Sequence, residues 1–136
     1  MGLRARAAGA LLASASAVLL GGCREEKAQP VFVPNTGQIQ ILNGCGKPGA
    51  ADAFRSYLTE RGFDIIEFGN AGQWNYEHTI VAARGADDKV ARDLAKVLET
   101  GNLIHLSDPT AMVEATVFVG KDYEELMKRW QKKPNP

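Results

Sequence analysis

The sequence predicts an α/β (α+β) fold, a two-layer sandwich in which a βαββαβ-type mixed sheet carries two helices on one face and a C-terminal amphipathic helix follows. Three observations carry this. Short apolar runs alternate with segments of helical periodicity, in the order strand, helix, strand, strand, helix, strand. Each of the two helical segments has a single apolar stripe, so one sheet face covers both. The 136 residues, 45% hydrophobic and 24% charged, suffice for one core and are too few for two.

The elements follow in order. Gln38-Ile39-Gln40-Ile41-Leu42 alternates polar and apolar residues as a strand does, then runs into the turn-rich stretch Asn43-Gly44-Cys45-Gly46-Lys47-Pro48-Gly49. From Ala50, apolar residues at 50, 53, 54, 57 and 58 line one helical face, and Gly62 closes the helix where a left-handed residue is needed. Phe63 to Phe68 is a second strand and Thr79 to Ala83 a third. The short connection between them predicts that the chain turns straight back, with these two strands antiparallel. Asp87 and Asp88 supply a turn and an N-cap acid for the second helix, whose stripe is Val90, Ala91, Leu94, Ala95 and Leu98, and Gly101 is expected to end it. Leu103 to Leu106 is a short strand and Ala115 to Val119 a strong one. Asp122 with Glu125 forms a capping-box-like pair that opens the last helix, where Tyr123, Leu126, Met127 and Trp130 make an apolar side. Lys128, Arg129, Lys132 and Lys133 suit the C-terminal end of its dipole.

The N-terminal segment gives an address. Arg4 and Arg6 precede an apolar run from Ala7 to Leu20, the layout of a secretory signal peptide, and the run is shorter than the roughly 20 residues a membrane span needs. Leu20-Gly21-Gly22-Cys23 resembles the lipobox of bacterial lipoproteins, which implies cleavage after residue 22 and lipidation of Cys23. Residues 1–22 are then the signal peptide, 23–37 the lipidated cysteine and a flexible tether, and 38–136 the domain. The stretch Glu25 to Gly37, about a dozen residues, reaches about 40 Å from the headgroups when extended. Arg24 after the lipidated residue resembles the outer-membrane sorting pattern of Gram-negative lipoproteins. The expected location is thus the cell envelope, membrane-anchored and facing the periplasm.

Composition removes several function classes. Sixteen Lys and Arg balance sixteen Asp and Glu, so the chain has no basic footprint for phosphate backbones, and no nucleic-acid partner is expected. Two cysteines and two histidines, His78 and His105, provide neither a disulfide framework nor a zinc set, and no metal or cofactor is expected. Ser56 and Ser107 sit in no nucleophile elbow. Gly44-Cys45-Gly46-Lys47-Pro48-Gly49 spells GxGxxG between a strand and a helix, with Glu67 in the next strand, as a dinucleotide fingerprint does. A second strand that folds straight back into the third argues against that reading, because the nucleotide half-fold continues in parallel. Cys45 lies near a helix N-terminus that would favour a thiolate, but no base is assignable to it, and a small turn residue is the better account. The loop Gly69 to Glu77 combines Trp74 and Tyr76 with Asn70 and other polar groups, a mix suited to a sugar or a protein surface. Asn70, Trp74 and Tyr76 are the candidate contact residues.

A family resemblance joins these pieces. Ile39-Gln40-Ile41-Leu42-Asn43-Gly44 with Gly46 and Gly49-Ala50-Ala51, Gly62-Phe63, Gly69-Asn70-Ala71, Tyr76 with Thr79 and Val81, Ala91 with Leu94-Ala95, and Val117 to Val119 with Gly120-Lys121-Asp122-Tyr123 together resemble the C-terminal domain of the LytR envelope proteins. Cys45 departs from the pattern, where Ser or Thr is expected. In that family the domain accompanies a separate phosphotransferase domain, which is not expected here. The resemblance implies a non-catalytic envelope accessory protein that binds peptidoglycan, another glycan or an envelope protein. Two other readings are a structural subunit docking through the C-terminal helix and Trp130, and a nucleotide-binding or thiol-redox protein using the Gly44-Cys45-Gly46 loop.

Overall fold

The computed structural model describes residues 37–133. Cys23, the signal peptide and most of the tether lie outside the described residues. The elements are β1 (Gln38–Asn43), α1 (Ala50–Thr59), β2 (Asp64–Asn70), β3 (Ile80–Ala83), α2 (Lys89–Leu98), β4 (Leu103–His105), β5 (Ala115–Val119) and α3 (Tyr123–Gln131). They build a two-layer α+β sandwich on one five-stranded mixed sheet, in the order β2-β1-β5-β3-β4.

β1 runs parallel to both β2 and β5, while β3 runs antiparallel to β5 and parallel to β4. β2 and β3 therefore do point in opposite directions, but they are not neighbours: β1 and β5 lie between them. The chain does not fold straight back. It crosses the ends of two strands, because β5 is apolar almost throughout and is buried as the central strand rather than left at an edge. Two parallel βαβ units result, β1-α1-β2 and β3-α2-β4. They start from strands of opposite direction and step toward opposite edges. Those reversals cancel, so right-handed crossovers place both helices on one face.

The core lies between that face and the helices. Ile39 and Ile41 of β1, Val81 of β3 and Val117 and Val119 of β5 meet Phe54 and Leu58 of α1 and Leu94 and Leu98 of α2, all fully buried. Each such side chain adds about 1.5–3 kcal/mol of burial free energy. α3 joins this helical layer. Its Trp130 ring stacks on Tyr57 at 3.9 Å, meets Phe54 edge-on at 4.9 Å and donates its indole N–H to the Leu98 carbonyl at 3.3 Å. Trp130 is thus a core residue, and the docking role considered for it has no exposed ring to work with.

Helix ends follow the sequence at Gly62 and depart from it at Asp88, Gly101 and Asp122; Asp88 stands at the N-cap of α2 but its carboxylate makes no cap hydrogen bond. Gly62, at φ 86°, takes the left-handed position after α1. After α2 that position belongs to Glu99, at φ 58° and ψ 35°, and not to Gly101. Glu99 N–H bonds the Lys96 carbonyl and Thr100 N–H the Ala95 carbonyl, a Schellman ending two residues earlier than expected. Asp122 precedes α3, but its carboxylate does not cap that helix. It is committed elsewhere, as the candidate site shows.

Candidate functional site

The loops that follow β1, β2, α2 and β5 all emerge at one end of the sheet, where the three parallel strands β2, β1 and β5 finish and β3 and β4 begin. In open α/β sheets this carboxyl end is where ligands bind. Asn43, the last residue of β1, organises the first loop and is buried at 7% exposure. Its Oδ1 accepts from Cys45 N–H at 3.1 Å, Gly46 N–H at 3.1 Å and the Cys45 thiol at 3.3 Å, while its Nδ2 donates to the Lys47 carbonyl at 2.8 Å. This arrangement settles the glycine motif differently from the sequence argument. β1-α1-β2 does continue in parallel, as a nucleotide half-fold would. The N–H groups of Cys45 and Gly46 that would cradle phosphate are instead occupied by Asn43, and Glu67 lies within β2 opposite Gln40, short of the strand end. Cys45 is buried and serves as a turn residue.

The second loop is laced onto the first. Ala71 N–H bonds the Asn43 carbonyl at 2.8 Å, Tyr76 N–H bonds the Gly44 carbonyl at 3.1 Å, and Lys121 N–H bonds the Tyr76 carbonyl at 2.9 Å. The Tyr76 ring stacks on Phe118 at 5.3 Å and lies so close to Gly44 that a Cβ there would fall 2.5 Å from it, which only glycine permits. Trp74 stands over Gly46, 3.4 Å from where a Cβ would be, with 62% of its surface exposed. Asn70 is exposed at the end of β2, in register with Asn43. Asn70, Trp74 and Tyr76 therefore share this end of the sheet. Trp74 does not cap the core, whereas Tyr76 is half buried against it.

Behind the loop, Asp122 Oδ1 accepts from Thr79 N–H at 2.8 Å and Thr79 hydroxyl at 2.7 Å, and the same hydroxyl accepts from Gly120 N–H at 3.1 Å. The carboxylate thereby ties the start of β3 to the start of α3, which is why it does not cap its own helix. His78 Nδ1 is 3.7 Å from Asp122 Oδ2, outside hydrogen-bond range. Thr79 is fully buried, so this cluster presents no nucleophile to a substrate. Glu77 pairs with Lys121, whose ammonium holds the exposed carboxyl below its ordinary value. His105 stands near Asp88, away from His78. Among the described residues no cluster of three or more His, Cys, Asp or Glu is placed to hold a metal.

A groove of about 530 Å³ opens beside Tyr76, between this loop and β4, floored by Ile80 and Ile104. Sequence reasoning found Tyr76 but missed this groove, and it missed Asn43 and Thr79 as the residues that hold the loops. Asn43 carried a local signal, an Asn followed by Gly at a strand end, where side-chain turns form. Thr79 and Asp122 are 43 residues apart and carried none.

The family profile described as LytR cell envelope-related transcriptional attenuator matches residues 36–123. Comparison with curated proteins and with solved structures returns no match. The matched span runs from the residue before the described part through the first residue of α3, taking in the whole sheet, α1, α2 and all four loops. With this fold and this match over most of its length, the chain belongs to the LytR C-terminal domain family of cell-envelope-related proteins.

Proposed function

We propose that this protein is a non-catalytic, lipid-anchored binding module of the cell envelope that holds a wall polymer, peptidoglycan or another glycan, through the loop end of its sheet. The observation that carries the reading is Trp74, a large aromatic left 62% exposed on a loop whose backbone is pinned to both neighbouring loops. A fixed, solvent-facing indole suits the flat apolar face of a sugar ring, with Asn70 and Tyr76 nearby for polar contacts. Support for the anchor comes from the Leu20-Gly21-Gly22-Cys23 pattern, since a doubly acylated cysteine is held far more firmly than a single chain allows. Support for a binding role without chemistry comes from the buried Cys45 and Thr79 and the separation of the two histidines.

The test uses the full chain, recovered from native membranes in mild detergent with its acyl mass confirmed on the intact protein. It is mixed with isolated peptidoglycan and centrifuged. Wild type is expected in the pellet and Trp74→Ala largely in the supernatant. Wild type that stays wholly in solution overturns the polymer reading, and protein without acyl mass overturns the anchor.

A further inference from the structure

The groove beside Tyr76 has a chemistry of its own. Its floor is the sheet face that the helices leave uncovered: Ile80 pairs in register with Phe118, on which Tyr76 stacks, and Ile104, 38% exposed, pairs with Ala82. The result is a continuous apolar strip walled by an aromatic ring. The charges on its rim are answered from within the protein. Glu77 is paired with Lys121, and His78 faces Asp122, whose other oxygen already takes both Thr79 donors. The polar groups left over are neutral. Asn75 forms no hydrogen bond among the described residues, the Tyr76 hydroxyl is likewise unengaged, and Asn102 uses its Nδ2 on the Thr79 carbonyl at 3.2 Å, which leaves its Oδ1 as an acceptor.

We propose that this groove binds a neutral acetamido-sugar unit of the polymer, which rests on the polymer-binding reading and names the subsite and the sugar class. The volume falls within the about 300–1,000 Å³ of small-ligand sites. An acetamido group matches the lining in both halves: its methyl needs an apolar floor, which Ile80 and Ile104 supply, and its N–H needs an acceptor, which Asn102 Oδ1 supplies. A plain hexose has no methyl to bury there. An ionised ligand meets no free counter-charge, and burying its charge unpaired is costly. An acyl chain would offer no partner to the Asn75 amide or to Asn102 Oδ1.

The experiment titrates the full chain, in mild detergent, with chitotetraose (N-acetylglucosamine units) and with cellotetraose, which has the same linkage and no acetamido group. Amide resonances are followed by nuclear magnetic resonance. Chitotetraose is expected to shift Tyr76, Ile80, Asn102 and Ile104, and cellotetraose to bind at least about tenfold more weakly. Ile104→Glu, at an exposed edge position, is expected to abolish the shifts, and Asn75→Ala, whose amide holds nothing in the fold, to weaken them. Equal response to both sugars, or shifts confined to Trp74 and Asn70, overturns the proposal. The two readings part cleanly. If Ile104→Glu and Asn75→Ala still pellet with peptidoglycan while Trp74→Ala does not, the polymer reading stands and the groove fails as its subsite. If chitotetraose fills the groove but wild type does not pellet, the groove is a sugar site and the wall polymer reading falls.

Discussion

Glu99 offers a measurement of backbone strain that contacts alone would get wrong. It is the only non-glycine residue with positive φ among those described, at φ 58°, and it closes α2 by accepting the left-handed position of a Schellman motif. An L side chain in that region costs about 1–2 kcal/mol. Its carboxylate pairs with Lys133 at the surface, and such a pair is worth about 0–1 kcal/mol. Glu99→Ala and Glu99→Gly both lose the pair, so their difference isolates the backbone. Glycine relieves the strain but leaves the unfolded chain freer by about 0.4–1 kcal/mol, which offsets part of the gain. The balance puts the Gly variant about 0.5–1 kcal/mol above the Ala variant, a gap of about 2–8 °C in melting temperature for a domain of this size. Circular dichroism melts of the two variants and wild type measure it. An Ala variant as stable as the Gly variant would refute the strain assignment, and with it the placement of the helix end at Glu99 rather than Gly101.

Two further predictions test the two ends of the sheet, Asp122 at the loop end and Asp108 in the connection from β4 to β5. Asp122→Ala strands the buried Thr79 N–H and hydroxyl and should cost about 2–4 kcal/mol in urea unfolding, while Thr79→Val, expected at about 1–2 kcal/mol alone, should cost less in the Asp122→Ala background; strict additivity would contradict the shared bond. The Thr110 hydroxyl and N–H both donate to Asp108 and hold its carboxyl below the ordinary 3.8. A depressed folded value means the contribution to stability is present above the unfolded value and is lost as pH falls through the folded one. Carboxyl resonances should show Asp108 titrating below 3.8, and Thr110→Ala should raise the midpoint; a wild-type midpoint at or above 3.8 would count against the turn.

The sequence by itself determined the elements. Ile39 and Ile41 alternate and Val90, Ala91, Leu94, Ala95 and Leu98 repeat at helical spacing, and both patterns are local consequences of which faces are buried. Gly62 was legible for the same reason, because a left-handed residue is a local demand. The family resemblance, resting on residues spread from Ile39 to Tyr123, was legible too and is matched by the profile. Strand neighbours were not. A nine-residue connection fixes direction but not partner, and partner choice was decided by burying β5 on both sides at the centre of the sheet. The same holds for Asp122: a helix-start position suggests a cap, and only the fold brings Thr79 within 2.7 Å of it. The groove beside Tyr76 is the clearest case, since Tyr76, Ile80, Asn102 and Ile104 come together only because β3 and β4 begin at the end where β1, β2 and β5 finish, a long-range consequence of strand order that no local periodicity encodes.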